Sequence, residues 1–265
     1  MKRKKQLFEG AVHGIFLLLG LITVGCVLLI KVYLVISGIP AIRRIGLVPF
    51  LFGKTWKSTG ADPSYGILPF ILTSVYGTAG AIVLGVPVGF LTAVYLAKAA
   101  PPRIKAVLSA AVSLLAGIPS VVYGLVGMLI LVPGIRKIFG VADGASLLAA
   151  MIVLAIMILP SIIKVSVTAR VSVSAARSGI AAAVVLGVGR AIGEAMAVMM
   201  VSGNAPNMPK LFESVRFLTT AVASEMSYAG GLQRQALFSI ALVLYLFIML
   251  INATLNFFLK RGRED

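Results

Sequence analysis

Cysteine, histidine and acidic side chains are almost missing from this chain. Cys26 is its only cysteine and His13 its only histidine. No intrachain disulfide can form, and a metal centre of the Cys/His zinc type is excluded. A hydrolytic triad is excluded too, because the single imidazole stands near the start of the first apolar stretch. Asp and Glu together number 8 in 265 residues, and charged residues of both signs make up 12%, about half of what a soluble domain carries. Phe52-Gly53-Lys54-Thr55 has the look of a phosphate-binding loop, but that loop needs a glycine where Val48 stands. Gly187, Gly189 and Gly193 miss the dinucleotide fingerprint by one residue, and Asn252-Ala253-Thr254, a glycosylation pattern, lies inside an apolar block. No catalytic constellation survives, so the residues argue against an enzyme.

What the chain has in excess is apolar. Hydrophobic residues make up 60% and the mean hydropathy is +1.06. They gather in six blocks, at 14–36, 67–97, 107–132, 145–165, 179–202 and 236–258. Each is long enough for a helix across a bilayer, which takes about 20 residues. Continuous runs of this kind predict helices rather than barrel strands. The fold class is therefore an all-α membrane protein with six transmembrane helices. A formal charge of +16 would point a soluble protein towards nucleic acid. A chain buried in lipid has no free face for a duplex, and here basic residues flank the spans and set their orientation. With the N-terminus inside, the inner segments hold 13 basic residues and the longer outer loops nine, which predicts that both termini are cytoplasmic. Lys31 lies within the first block and is expected to snorkel. The organisation is a basic N-terminus (1–13), a first transmembrane helix (14–36), a periplasmic loop (37–66), a five-helix core (67–258) and a short C-terminus (259–265). The basic start has the form of a signal peptide, but its apolar stretch is long for one and no cleavage motif ends it, so it reads as a retained span. Trp56 and Tyr65 in the first loop are candidate interfacial anchors.

Pro87, Pro119 and Pro160 fall inside the second, third and fourth blocks. Each removes a backbone donor and clashes with the preceding turn, and three in consecutive spans suggest a bundle that moves and lines a cavity. The fifth block holds two charges, Arg190 and Glu194, in "GRAIGEAMAVMMVSGN" (189–204). A charge at the bilayer centre costs about 2.5–3.5 kcal/mol. Wound as one helix over 181–202, the block puts Ala183, Gly187, Arg190, Glu194 and Ala197 on one face and Val185, Val188, Ile192, Met196 and Met199 on the other. At this spacing the two charges can approach each other, and Gly189-x-x-x-Gly193 permits close helix approach. Two readings stay open. One is a structural pair that locks this helix to its neighbours. The other is a solvated pathway in which the planar fork of Arg190 meets an oxyanion and Glu194 holds or releases it.

The stretches "LAGIPSVVYGLVGMLILVP" (115–133), "IMILPSII" (156–163), "AARSGIAAAVVLGVGRAIGEAMAVMMVSGNAPNMP" (175–209) and "LTTAVASEM" (218–226) resemble the C-type permease subunit of the bacterial phosphate-uptake ABC transporter. "ILPFILTSVYGTAGAIVLGVPVG" (67–89) matches more loosely, and the resemblance covers most of the chain from about residue 50 onward. It implies the architecture of a type I ABC importer permease in the bacterial inner membrane. The implied partners are a sister permease, cytoplasmic ATPase subunits that bind ATP and magnesium, a periplasmic phosphate-binding protein, inorganic phosphate and membrane lipid. The chain itself is expected to bind no cofactor. The resemblance gives Arg190 and Glu194 to the substrate pathway. Pro119, Ser120, Tyr123, Gly189, Gly193 and Asn204, within the matching motifs, are candidates for lining it or hinging beside it. Sulfate and molybdate importers share the architecture, and the motif match rather than the charge favours phosphate.

One departure stands out. In such permeases the inner loop between the fourth and fifth spans carries a short helix, of E-A-A-x-x-x-G type, that docks on the ATPase. The matching stretch here, "KVSVTARVSVSAARSGI" (164–180), has no such helix and leaves Arg170 and Arg177 as the remnant of the contact. Two functions are therefore expected. One is the transmembrane permease subunit of an ATP-driven phosphate importer, forming half of the translocation pathway. The other is a coupling-deficient scaffold or phosphate-sensing subunit, because a partner shifts a conformational equilibrium only through differential contacts. A stand-alone carrier would call for internal repeats, and none is evident.

Overall fold

A backbone in lipid has only its own carbonyls to bond, and the apolar blocks accordingly coil into helices. The computed structural model describes residues 2–60, 62–169 and 176–261. Among these residues five helices are long and apolar enough to cross a membrane, at Val12–Ile45, Leu68–Lys98, Ser120–Phe139, Leu147–Val167 and Gly231–Thr254, and Val184–Gly193 is a shorter apolar helix.

The first helix, α1 (Lys2–Ile45), does not stop where its apolar block thins at residue 36. It runs through Pro40 to Ile45 and is followed by the short α2 (Leu47–Phe52). A two-residue hairpin follows, β1 (Trp56–Lys57) against β2 (Ser64–Tyr65), with Trp56 opposite Tyr65. Next come α3 (Leu68–Lys98) and α4 (Pro102–Gly117). The third apolar block is not one helix. It divides at Ile118–Pro119 into α4 and α5 (Ser120–Val126), which continues through a π-helical turn at Gly127–Leu131 into α6 (Val132–Phe139). Proline supplies the reason. In an unbroken helix the Leu115 carbonyl would accept from the amide of residue 119, and Pro119 has none.

The core is built around α7 (Leu147–Ala169), which buries Leu154, Met157, Ile158 and Ile162 almost completely. It lies along α3, where glycines make the room. A Cβ placed on Gly85 or Gly89 would stand 2.9 Å from Ile158 or Ile162, so these isoleucines fill notches that any larger residue would close. The remaining elements are α8 (Ala176–Gly193), α9 (Met196–Val201), α10 (Leu218–Glu225) and α11 (Gly231–Arg261). The far half of α1 packs on α11, with Tyr33 edge-on to Phe238 at 5.4 Å and Ser239 Oγ donating to the Gly38 carbonyl at 2.6 Å. By contrast Phe16, Leu21 and Ile22 on the near half are exposed.

Candidate functional site

The charged turn of the fifth block sits at a break, not within a helix. α8 ends at Gly193 and α9 starts at Met196, so Ala197, Met196 and Met199 do not share a helix with Arg190. Within α8 the faces separate cleanly. Val188, Ala191 and Ile192 are buried, and Gly187 lies 3.6 Å from Ile158 as judged by a Cβ placed on it. Leu186, Arg190 and Gly193, on the opposite side, are exposed. The expected close approach through Gly189 and Gly193 is not made among the described residues, since none of them stands within 4 Å of a Cβ placed on either.

The break also undoes the expected pairing. Among the described residues no hydrogen bond or ion pair joins Arg190 to Glu194. The Glu194 carboxylate turns forward instead, and its Oε1 accepts the Ala197 amide at 3.0 Å. This satisfies one of the amides that the start of α9 leaves without a partner. The Glu194 carbonyl, released where α8 ends, accepts from Thr219 Oγ1 of α10 at 2.8 Å. Both ends of the break are thus held by side chains, and Arg190 stays open on the surface.

Tyr123 is the residue that α5 brings to this place. A Cβ on Gly124 would stand 2.8 Å from Ala197, and one on Gly127 would stand 2.7 Å from Val201, so α5 and α9 run side by side in the same sense. That places Pro119, Ser120 and Tyr123 level with the break at 194–195. The Tyr123 hydroxyl donates to the Leu115 carbonyl at 2.7 Å, which Pro119 cannot serve and which also accepts the Ile118 amide at 3.3 Å. The charge of Arg190 acts on the same phenol. The structure therefore brings Arg190, Glu194, Pro119, Ser120, Tyr123, Gly189 and Gly193 to one region. An apolar cavity of about 600 Å³ opens beside Tyr123 between α5, α6 and α7. Arg190 is not part of its wall, and it offers an oxyanion nothing but the one phenol.

Asn204 belongs elsewhere. It has a left-handed backbone, φ 59°, and its Nδ2 donates to the Met199 carbonyl at 2.7 Å, closing the end of α9. Its own carbonyl accepts from Arg216 Nε at 2.7 Å. Arg216 pairs with Glu225, and the two side chains are 15% and 6% exposed. Glu225 also accepts from Trp56 Nε1 at 3.2 Å and from Gln233 Nε2 at 2.9 Å. Arg216 further lies over the Phe70 ring at 5.8 Å. Sequence reasoning missed this cluster. Its members stand in one loop, the hairpin and three helices, and only Glu225, an acid in a chain with few, offered a signal. Trp56 and Tyr65, expected as interfacial anchors, are buried in it. Arg170 lies outside the described residues, as does the side chain of Arg177. No group of three or more His, Cys, Asp or Glu able to hold a metal occurs among the described residues.

The surroundings of Arg190 are shared with known proteins. The chain is 35% identical to the probable ABC transporter permease protein YqgH of Bacillus subtilis, with 95% of this chain and 92% of that protein covered. It is 32% identical to the phosphate transport system permease protein PstC of Haemophilus influenzae, with 82% of each covered. The PstC of Mesorhizobium japonicum is also 32% identical, with 80% of this chain and 78% of that protein covered. The chain belongs to the PstC family of ABC-transporter permeases. No family model matches it. Among solved structures, a chain of the inward-facing methionine ABC transporter MetNI superposes with a TM-score of 0.53 at 15% identity, covering 74% of this chain and 94% of that one. That likeness shows the ABC-permease fold. As a member of the PstC family with five long apolar helices, the chain is a multi-pass membrane protein. It is also short for the family. The match to YqgH runs over 284 positions but takes up only 95% of this chain, so about 30 positions of the relative face no residue here.

Proposed function

We propose that the chain is the transmembrane permease subunit of an ATP-driven phosphate importer and forms half of the translocation pathway along the open face of α8. The observation that carries this reading is Arg190, exposed and without an ion-pair partner among the described residues. A guanidinium left against lipid costs about 2.5–3.5 kcal/mol or more, so in the assembled transporter this face meets protein or water. Beside it Gly189 and Gly193 leave room for a neighbouring backbone. A sister permease facing this stripe would close the pathway over the arginine. The guanidinium then offers two parallel donors to phosphate oxygens. Glu194, held off by the Ala197 amide, keeps that fork free. Were it to let go of the amide and swing back to Arg190, it would compete the anion away. Passage then alternates between a bound oxyanion and a returned carboxylate.

The match to phosphate transport permeases supports phosphate as the anion. The basic residue count supports cytoplasmic termini in the inner membrane, with the β1–β2 hairpin and the 203–217 segment facing the periplasmic phosphate-binding protein. ATP and magnesium belong to partner ATPase subunits, and this chain binds no cofactor. The test is phosphate uptake by the complex reconstituted in liposomes. Arg190→Gln reduces uptake at least about 100-fold, the scale of a lost charge-assisted contact in a low-dielectric site, while the complex still assembles. Undiminished uptake removes the pathway role.

A second reading is favoured by one observation. The described ends of α7 and α8, at Ala169 and Ala176, have only six residues between them in sequence, fewer than two helical turns need. Together with the positions missing relative to YqgH, this supports a subunit that has lost its ATPase-docking helix and serves as a scaffold or sensor. Pull-down of the ATPase subunit, with and without a docking segment inserted after residue 170, separates the two. Equal capture in both keeps the coupled importer; capture only after insertion favours the scaffold.

A further inference from the structure

α10 is fastened at both ends by polar contacts to different parts of the molecule. At its start, Thr219 Oγ1 donates to the Glu194 carbonyl at 2.8 Å. At its end, Glu225 takes the Trp56 indole of the hairpin, the Gln233 amide of α11 and the guanidinium of Arg216. Thr219 and Glu225 are six residues apart, about 9 Å along a helix axis. Between these ends Thr220 and Ala221 are wholly buried, so that face of α10 is held against the core. Desolvating a carboxylate costs several kcal/mol, and a fully apolar contact of similar volume would hold a short helix as well or better. The chain accepts that cost where the end of α10 bonds the hairpin.

We propose that α10 is a rigid strut that sets the position of the Glu194 break from the Trp56 hairpin, with Thr219 and Glu225 as its two positioning residues. Thr219 acts on the Arg190 site through the Glu194 carbonyl, and Glu225 acts through Trp56; neither contacts the transported anion. A displacement of the hairpin moves Glu225, carries α10 with it and shifts the carbonyl that fixes the end of α8. The effect on uptake rests on the proposed function, whereas the mechanical link does not.

Trp56 is the only tryptophan in the chain, so its fluorescence reports on one end of the strut while the other end is altered. In the full chain in lipid nanodiscs, Thr219→Val removes the hydroxyl but keeps the shape. We expect about a fivefold rise in the population in which acrylamide reaches Trp56, the weight of one buried hydrogen bond. Thr219→Ser, which keeps the donor, stays at the wild-type value. Wild-type quenching in Thr219→Val, with helix content unchanged, overturns the strut. In the reconstituted complex Thr219→Val lowers maximal uptake about fivefold with the half-saturating phosphate concentration unchanged, and Thr219→Val added to Glu225→Gln lowers it no further than Glu225→Gln alone. Losses that multiply overturn the proposal as well. A wild-type complex that takes up no phosphate removes the transport reading, and the fluorescence result then decides the strut by itself.

Discussion

Two arginine–glutamate sets lie on either side of α10, and they are built in opposite ways. Arg216 and Glu225 are joined, the carboxylate buried and the guanidinium mostly so, and they bond further to Asn204, Gln233 and Trp56. Arg190 and Glu194 stand four residues apart yet do not meet, because the helix ends between them and the carboxylate is drawn to the Ala197 amide. A carboxylate this buried, already accepting from Arg216, Trp56 and Gln233, has little left for a ligand, and opening the pair would strand a charge. An arginine whose neighbour is occupied elsewhere keeps its donors. The break at 194–195 is thus what separates a charge for holding the fold from a charge for meeting an anion.

That contrast can be broken by measurement, and the locked set offers the largest effect on stability. Glu225→Ala leaves Arg216 buried without its carboxylate and costs about 3–5 kcal/mol, read as denaturant unfolding in micelles. Replacing both members by apolar residues, Arg216→Met with Glu225→Leu, costs less than the single change, since no charge is stranded. If the single change costs under about 1 kcal/mol, solvent reaches the pair and it is not the locked set described here. The open set predicts a smaller loss. Glu194→Ala removes one capping acceptor from α9 and costs about 1 kcal/mol in the same experiment. A cost as large as that of Glu225→Ala would mean that Glu194 does pair with Arg190.

The difference between the sets explains what the sequence could disclose. Arg190 and Glu194 were legible because two charges interrupt an apolar run, and four-residue spacing is a local signal. Their geometry was not, because whether a helix continues through Gly193-Glu194-Ala195 depends on Thr219 and α5, which arrive from elsewhere in the chain. The same holds for the third block. Pro119 was visible as a breaker, but whether it kinks or divides the helix depends on what takes up the Leu115 carbonyl, and here the Ile118 amide and, from the next helix, Tyr123 both do. The long helices α3, α7 and α11 follow from apolar length alone. Asn204, a candidate for lining the pathway or hinging beside it, fastens the end of α9 to Arg216. Arg216, Glu225 and Trp56 have no shared spacing, so their meeting is a property of the fold and left no pattern to read. Glycines were only half informative. Gly85 and Gly89 admit Ile158 and Ile162, whereas Gly189 and Gly193 face nothing among the described residues.

The smallest expected effect concerns the tyrosine beside the locked set. Tyr65 is buried against the Trp56 ring at 5.4 Å, and burial first, then the Glu225 carboxylate, raise its phenol above the usual value near 10. The folded chain therefore holds this proton at a pH where the unfolded chain has begun to lose it. Its contribution to stability is complete below about pH 10 and is lost as pH rises through the folded value, because the unfolded state then binds fewer protons. Unfolding followed from about pH 8 to 11 should show a decline for the wild type that is shallower in Tyr65→Phe. Glu225→Gln removes the second cause and keeps the first, so it should narrow the window without abolishing it. An alkaline decline identical in wild type and Tyr65→Phe would place the phenol in water, and the hairpin end of the locked set would then be open like the arginine at the other end of α10.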